Sequence, residues 1–258
     1  MMKCAIYQME IIPGSPEENI EKIRRWISGL DESIEIVVLP EMWNTSYVLD
    51  ELNEIADEDG SREIHALQEM AKRFHVHIIG GSIAVKSQER IFNRNVVINR
   101  DGEVVHQYDK VHLVPMLDEP KYLTAGNHIQ SFTLDGIKMG VIICYDLRFP
   151  EISRKLALEG IEVLFVVAEW PASRMDAFNK LLYARAIENQ VYVIACNNIG
   201  YCREEKFGGQ SKVINPLGTL VESLETDETT LTISVDLDYS KEVKSSIPVM
   251  DSRRPELY

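Results

Sequence analysis

Gly140-Val-Ile-Ile-Cys144-Tyr-Asp-Leu-Arg-Phe-Pro-Glu151 joins an apolar run to a helix start through a cysteine, and the rest of the chain can be placed around it. Ile137 to Ile143 is short and rich in Ile and Val with one glycine, the pattern of a buried strand. Pro150 suits the first turn of a helix, where its missing N–H would be unpaired anyway, and Glu151 suits the positive end of the helix dipole. Residues 150 to 159 therefore read as helix, and Cys144 falls at the carboxyl end of a strand, where open α/β sheets form their ligand crevices. Position alone leaves two readings: a reactive thiol, or an inert buried cysteine of the kind proteins commonly contain.

Strand-then-helix alternation recurs on both sides. Lys3 to Met9 alternates as a strand, Pro16 to Gly29 carries Ile20, Ile23 and Ile27 at helical spacing, and Ile36 to Leu39 is a buried strand ending at Pro40-Glu41. Ser61 to Phe74 reads as a helix capped by Ser61, and Val76 to Ile83 as the strand completing a second β-α-β. Ile91 to Ile98 and Glu103 to Tyr108 flank an Asp101-Gly102 hairpin signal, so antiparallel pairing is predicted there. Lys110 follows directly, and then a loop from Met116 to Asn127 that holds Glu119 and Tyr122 and is long enough to suggest function.

Beyond the central strand, Glu162 to Ala168, a helix from about Ser173 to Asn189, and strands at Val191 to Cys196, Gln210 to Ile214, Gly218 to Val221 and Leu231 to Val235 repeat the alternation. Leu181, Ala184 and Ile187 are expected to face the sheet, with Arg185 and Glu188 paired on one surface of the helix. The polar tail, 239–258, contains Pro248 and Pro255 and reads as an extended arm on a single domain spanning 1–258.

At 258 residues, 45% hydrophobic and 26% charged, the chain can bury one large core. A net charge of −14 without any basic run disfavours nucleic acid and anionic membranes as partners, and no apolar stretch approaches the ~18 residues of a membrane span. Cys4, Cys144, Cys196 and Cys202 lack zinc-type spacing, and no secretory signal is read, so reduced thiols and a cytoplasmic location are expected. His75-Val-His77 at the edge of a strand predicts one exposed and one packed ring rather than a metal site.

Glu41, Lys110 and Cys144 thus stand at three strand ends. Leu39-Pro-Glu41-Met, Tyr108-Asp-Lys110-Val-His-Leu and Cys144-Tyr-Asp-Leu-Arg-Phe-Pro-Glu151 resemble the three signatures of the nitrilase or carbon-nitrogen hydrolase superfamily. Leu181 to Asn189 and Asn215-Pro-Leu-Gly218 match accompanying segments, so the resemblance covers nearly the whole chain. It implies a four-layer α-β-β-α sandwich, α/β in class, assembled at least as a homodimer. It also implies Cys144 as nucleophile, Glu41 as base and Lys110 as cation, with Glu119 in a supporting role and no cofactor or metal. The reaction so implied is hydrolysis of a linear amide of a small molecule through a thioester, with the backbone N–H of Tyr145 helping Lys110 to stabilise the oxyanion.

Within that superfamily the chain looks most like the omega-amidases, which act on 2-oxoglutaramate. Cys144 to Pro150, the Glu119 loop and Glu169-Trp-Pro171 carry this likeness. A substrate with a free carboxylate needs a cation, for which Arg148 is the candidate by reach; an ion pair with Glu151 is the competing reading. Trp170 and Tyr122 are candidates for the pocket wall, or core residues. Amidases for deaminated glutathione and N-carbamoyl hydrolases are the alternatives within the superfamily. A papain-like protease lacks a suitable histidine context, and a non-catalytic binder on the same fold would have no need to keep glutamate, lysine and cysteine together.

Overall fold

A computed structural model describes residues 1–257. In its first sheet Met2–Gln8, Ile36–Val38 and His77–Ile79 lie side by side and parallel. His77–Ile79 then pairs antiparallel with Arg90–Ile98, which also holds Ile83–Ser87 and Val104–Asp109. The second sheet repeats the plan, with Ile137–Ile143, Val163–Ala168 and Tyr192–Asn197 parallel at its centre. Phe132–Leu134 and Lys212–Ile214 flank them antiparallel. Thr229–Val235 returns to pair antiparallel with Met2–Gln8, so the chain's last strand belongs to the first sheet and ties its two halves together.

Side-chain alternation sets the layers, because successive residues of a strand point to opposite faces. Cys4 and Ile6 enter the core shared with Ile143, Phe165 and Val167, whereas Ala5 and Tyr7 pack with Ile20 and Ile23 of the helix Pro16–Ser28. That helix and Ser61–Phe74 cover the first sheet; Pro150–Leu158 and Met175–Asn189 cover the second, giving the α-β-β-α sandwich. Each large aliphatic side chain buried this way contributes about 1.5–3 kcal/mol.

Several local expectations are corrected. Ser61 is the first helical residue rather than the cap; the carboxylate of Asp57 accepts its hydroxyl at 2.6 Å and the Arg62 N–H at 2.7 Å. On Met175–Asn189 the buried face is Phe178, Leu182, Arg185 and Ala186, while Ile187 is exposed. The face is shifted because Arg185 points inward, where it donates to the backbone carbonyl of Leu147. The tail is not extended from 239: Leu237–Ser246 is a helix, capped by Asp236 and with Ser240 and Val243 buried. A hairpin of Ile199–Cys202 and Glu205–Gly208 lacks alternation strong enough to be read from sequence. His75 is exposed, and His77 is buried against Asp135 and Arg100. Among the described residues no helix is long and apolar enough to cross a membrane.

Candidate active site

Glu41 leaves the first sheet just after Ile36–Val38, and Lys110 follows Val104–Asp109 of the same sheet; Cys144 follows Ile137–Ile143 of the second. The two sheets meet at this end through backbone contacts. Glu41 N–H donates to Ala168 O at 3.4 Å, and Glu169 N–H donates to Glu41 Oε2 at 2.8 Å. The sandwich therefore brings the three strand ends together, as the sequence predicts.

Cys144 has a φ of +46°, in the left-handed region that a residue with a Cβ rarely occupies. Such a conformation costs about 1–3 kcal/mol and must be held by its surroundings. Asp146, fully buried on the same Cys144–Arg148 turn, accepts the N–H groups of Ile143 at 3.1 Å and His112 at 3.0 Å and the hydroxyl of Tyr108 at 2.6 Å. Arg185 donates to Leu147 O through Nε at 3.2 Å and Nη2 at 2.8 Å, and pairs with Glu188 at 2.8 Å. The thiol is thus fixed from both sides of the turn.

Around it lies a buried charge network. Lys110 Nζ donates to Glu41 Oε1 at 2.8 Å, Glu119 Oε1 at 2.7 Å and the Tyr47 hydroxyl at 3.3 Å. Asn93 Nδ2 donates to Glu41 Oε1 at 2.8 Å, and Val114 N–H to Glu119 Oε2 at 2.7 Å. Burial alone would weaken the ammonium, but Glu119 and Glu41 outweigh it and hold the Lys110 pKa well above the usual lysine range. Burial raises the Glu119 carboxyl, with Lys110 opposing and Glu41 adding to the shift. Burial and then the Glu41 carboxylate push the Cys144 thiol well up, against the pull of Lys110. Both influences favour the protonated thiol, with Glu41 as its neighbouring acceptor.

A narrow cleft opens beside Cys144. Tyr145, Arg148 and Trp170 line it as expected, together with apolar Val114 and Leu117. Arg148 makes no ion pair with Glu151; its guanidinium carbon stands 4.9 Å from the Trp170 ring centroid and 5.8 Å from that of Tyr145. Tyr122 is not part of the wall: it closes the short helix Glu119–Tyr122, whose buried residue is Glu119, and its own ring is turned to solvent. A turn that swings Glu119 inward onto Lys110 leaves the other face of the helix outside.

Tyr47, Asn93, Asp146 and Glu169 were not singled out as site residues from sequence. Glu169 follows Val163–Ala168 as Glu41 follows its own strand, so the same rule could have found it. Its carboxyl is buried, which pushes its pKa well up; Ser46 and Asn198 donate to one oxygen, and the other has no partner among the described residues. Asn93 could have been suspected as a polar residue in a strand interior; Tyr47 has no such signal. All four cysteines are free thiols.

A four-layer sandwich whose strand ends bring thiol, carboxylate and ammonium together is an architecture for acyl transfer through cysteine. Residues 3–245 match the carbon-nitrogen hydrolase family, and the chain belongs to that family. It is 42% identical over 251 residues to the 2-oxoglutaramate amidase of Bacillus subtilis, covering 97% of both chains. It is 45% identical over 230 residues to the "hydrolase in agr operon" of Staphylococcus lugdunensis, covering 88% of this chain and 98% of that one. Among solved structures, a CN-hydrolase superfamily protein of Xanthomonas campestris superposes with a TM-score of 0.92 at 25% identity, covering 98% of this chain and 97% of the other.

Proposed function

We propose that the protein hydrolyses the terminal amide of a small 2-oxo acid, 2-oxoglutaramate in the first instance, through a thioester on Cys144. The observation that carries the substrate class is Arg148, which lines the cleft beside the thiol and has no carboxylate partner among the described residues. An acidic amide would supply that partner.

In this reading Glu41 accepts the Cys144 proton as sulfur attacks the amide carbon, since burial and the Glu41 carboxylate disfavour a free thiolate. The C=O electron pair moves to oxygen, and the oxyanion is met by the Lys110 ammonium and the Tyr145 N–H. Collapse of the intermediate breaks the C–N bond, and Glu41 passes its proton to the leaving nitrogen, which departs as ammonia. Glu41 then deprotonates a water that attacks the thioester; the acid product leaves, and the proton returns to sulfur. Glu119 keeps the ammonium charged and aimed at the reacting centre.

Homodimerisation and a cytoplasmic location complete the proposal. The deciding experiment is ammonia release from 2-oxoglutaramate, a neutral aliphatic amide, a nitrile and an N-carbamoyl amino acid. A large preference for 2-oxoglutaramate is expected; a preference for the neutral amide overturns the substrate assignment and leaves the thiol chemistry standing.

A further inference from the structure

Arg174 ends the turn Ala172–Arg174, directly before the helix Met175–Asn189, and its side chain lines the same cavity as Cys144 and Arg148. The cavity wall holds these two guanidinium groups and no carboxylate. Neither arginine forms an ion pair with any described residue, although the chain carries a net charge of −14 and acids are plentiful. Other half-buried arginines have found acidic partners: Arg94 pairs with Asp109 at 2.6 Å, and Arg62 with Glu63 at 2.7 Å. Two uncompensated cations at one small cavity mark it for an anion.

The two arginines are held differently. Arg148 lies as a plate over the rings of Trp170 and Tyr145. Arg174 has no ring beneath it, but its backbone is fixed: its N–H donates to Pro171 O at 3.0 Å and its carbonyl accepts Trp170 Nε1 at 3.0 Å. The strap that carries it is tied to the reacting centre. Glu169 N–H holds Glu41 Oε2 at 2.8 Å, Trp170 N–H donates to Asn197 Oδ1 at 2.7 Å, and Gly208 N–H donates to Trp170 O at 3.0 Å. A long cationic side chain on a base fixed relative to Glu41 can select a carboxylate at a set distance from the amide being cleaved.

We propose that Arg174 is a specificity-determining residue that grips the free carboxylate of the substrate together with Arg148, so that the preferred substrates are monoamides of short dicarboxylates. This rests on the acidic-amide reading above and adds to it a second cation that the sequence did not reveal. The signal in sequence is weak, since an arginine in the first turn of a predicted helix is ordinarily a solvated surface residue.

The test measures kcat and KM for 2-oxoglutaramate and for a neutral aliphatic amide, and inhibition of neutral-amide turnover by glutarate, which has carboxylates and no amide. Wild type, Arg174→Leu, Arg174→Lys and Arg148→Leu are compared, with Arg174→Gln as the polar variant should the leucine variant fold poorly. Loss of a charge-assisted contact predicts that Arg174→Leu raises KM for 2-oxoglutaramate about tenfold or more with a smaller change in kcat. Glutarate inhibition weakens by a similar factor, and Arg174→Lys recovers part of both. If the Arg174 variants keep KM and glutarate inhibition within about twofold of wild type while Arg148→Leu collapses the acidic preference, the inference on Arg174 fails alone. If wild type prefers the neutral amide and glutarate does not inhibit, the substrate class fails and takes the inference with it.

Discussion

Arg185 holds the backbone carbonyl of Leu147 with two guanidinium nitrogens, at 3.2 and 2.8 Å, from a helix on the outer layer of the second sheet. Leu147 is on the strained turn that begins at Cys144, so a charge on one layer fixes the conformation of a thiol on another. Hydrogen bonds to charged groups contribute about 1.5–3 kcal/mol. Arg185→Leu is expected to lower stability to urea by about that amount and to reduce kcat through a loosened turn. Arg185→Lys, unable to span both contacts, recovers only part. Urea unfolding with parallel ammonia assays checks this, and an unchanged unfolding midpoint would count against it.

The left-handed backbone at Cys144 gives a second expectation. Cys144→Ala and Cys144→Gly both lose the sulfur, and neither releases ammonia. Their stabilities separate, because alanine keeps the Cβ penalty at a φ of +46° and glycine does not. Cys144→Gly is expected to unfold about 1 kcal/mol later than Cys144→Ala, despite its smaller side chain. Equal midpoints in thermal unfolding would show that the turn is not strained.

Much of this site is legible in the sequence, for a physical reason. Glu41, Lys110 and Cys144 each end a strand, and strand ends announce themselves by the close of an apolar run. What was not readable depends on inter-layer geometry. Periodicity assigned Ile187 to the buried face of its helix because it scores a leucine-like side chain as core. It could not know that the carbonyl of Leu147 needed a donor and would draw Arg185 inward. Tyr122 and Glu119 occupy one short helix, and only its docking onto Lys110 decides which of them enters the site.

His106 provides a pH expectation. Burial, with His128 adding to it, depresses its pKa from 6.5 to about 4, and its ring lies against Phe132 with Nε2 unpartnered. Between these values the unfolded chain binds the proton and the folded one does not, so stability rises with pH across the window and is lost as pH falls from 6.5 toward 4. The full contribution is on the order of 3 kcal/mol. Denaturant unfolding from pH 4 to 7 should give a shallower slope for His106→Phe than for wild type; parallel curves would remove His106 as the cause.

The proposed homodimer has a direct check. Leu158, Ile187 and Leu217 are large apolar side chains left about half exposed on the outer side of the second sheet's layer. Burying them against a second copy would relieve that exposure. Light scattering at micromolar concentration should report a dimer, and Ile187→Lys should shift it toward monomer. A monomeric wild type would end the proposal.

Lys110 serves two carboxylates at once, Glu41 at 2.8 Å and Glu119 at 2.7 Å, all three side chains being fully buried. Removing one member of a buried ion cluster leaves its partners' charge uncompensated, at a cost of about 3–5 kcal/mol. Lys110→Met should therefore be strongly destabilised as well as inactive. Glu119→Gln is a milder change: its amide oxygen can still accept from Lys110 and Glu41 still balances the ammonium, although its nitrogen cannot accept the Val114 N–H as Oε2 does; it should be modestly destabilised and lose about 10² in kcat through a less firmly held cation. The two changes are close enough to couple. With Lys110 gone, converting Glu119 to glutamine removes one of the two stranded carboxyl groups, so the double variant is expected to be more stable than Lys110→Met alone while remaining inactive. Urea unfolding of the two single variants and the double variant measures the coupling. Strict additivity would mean that the two carboxylates do not depend on the shared ammonium, and would remove the assigned reason for Glu119 to be buried beside it.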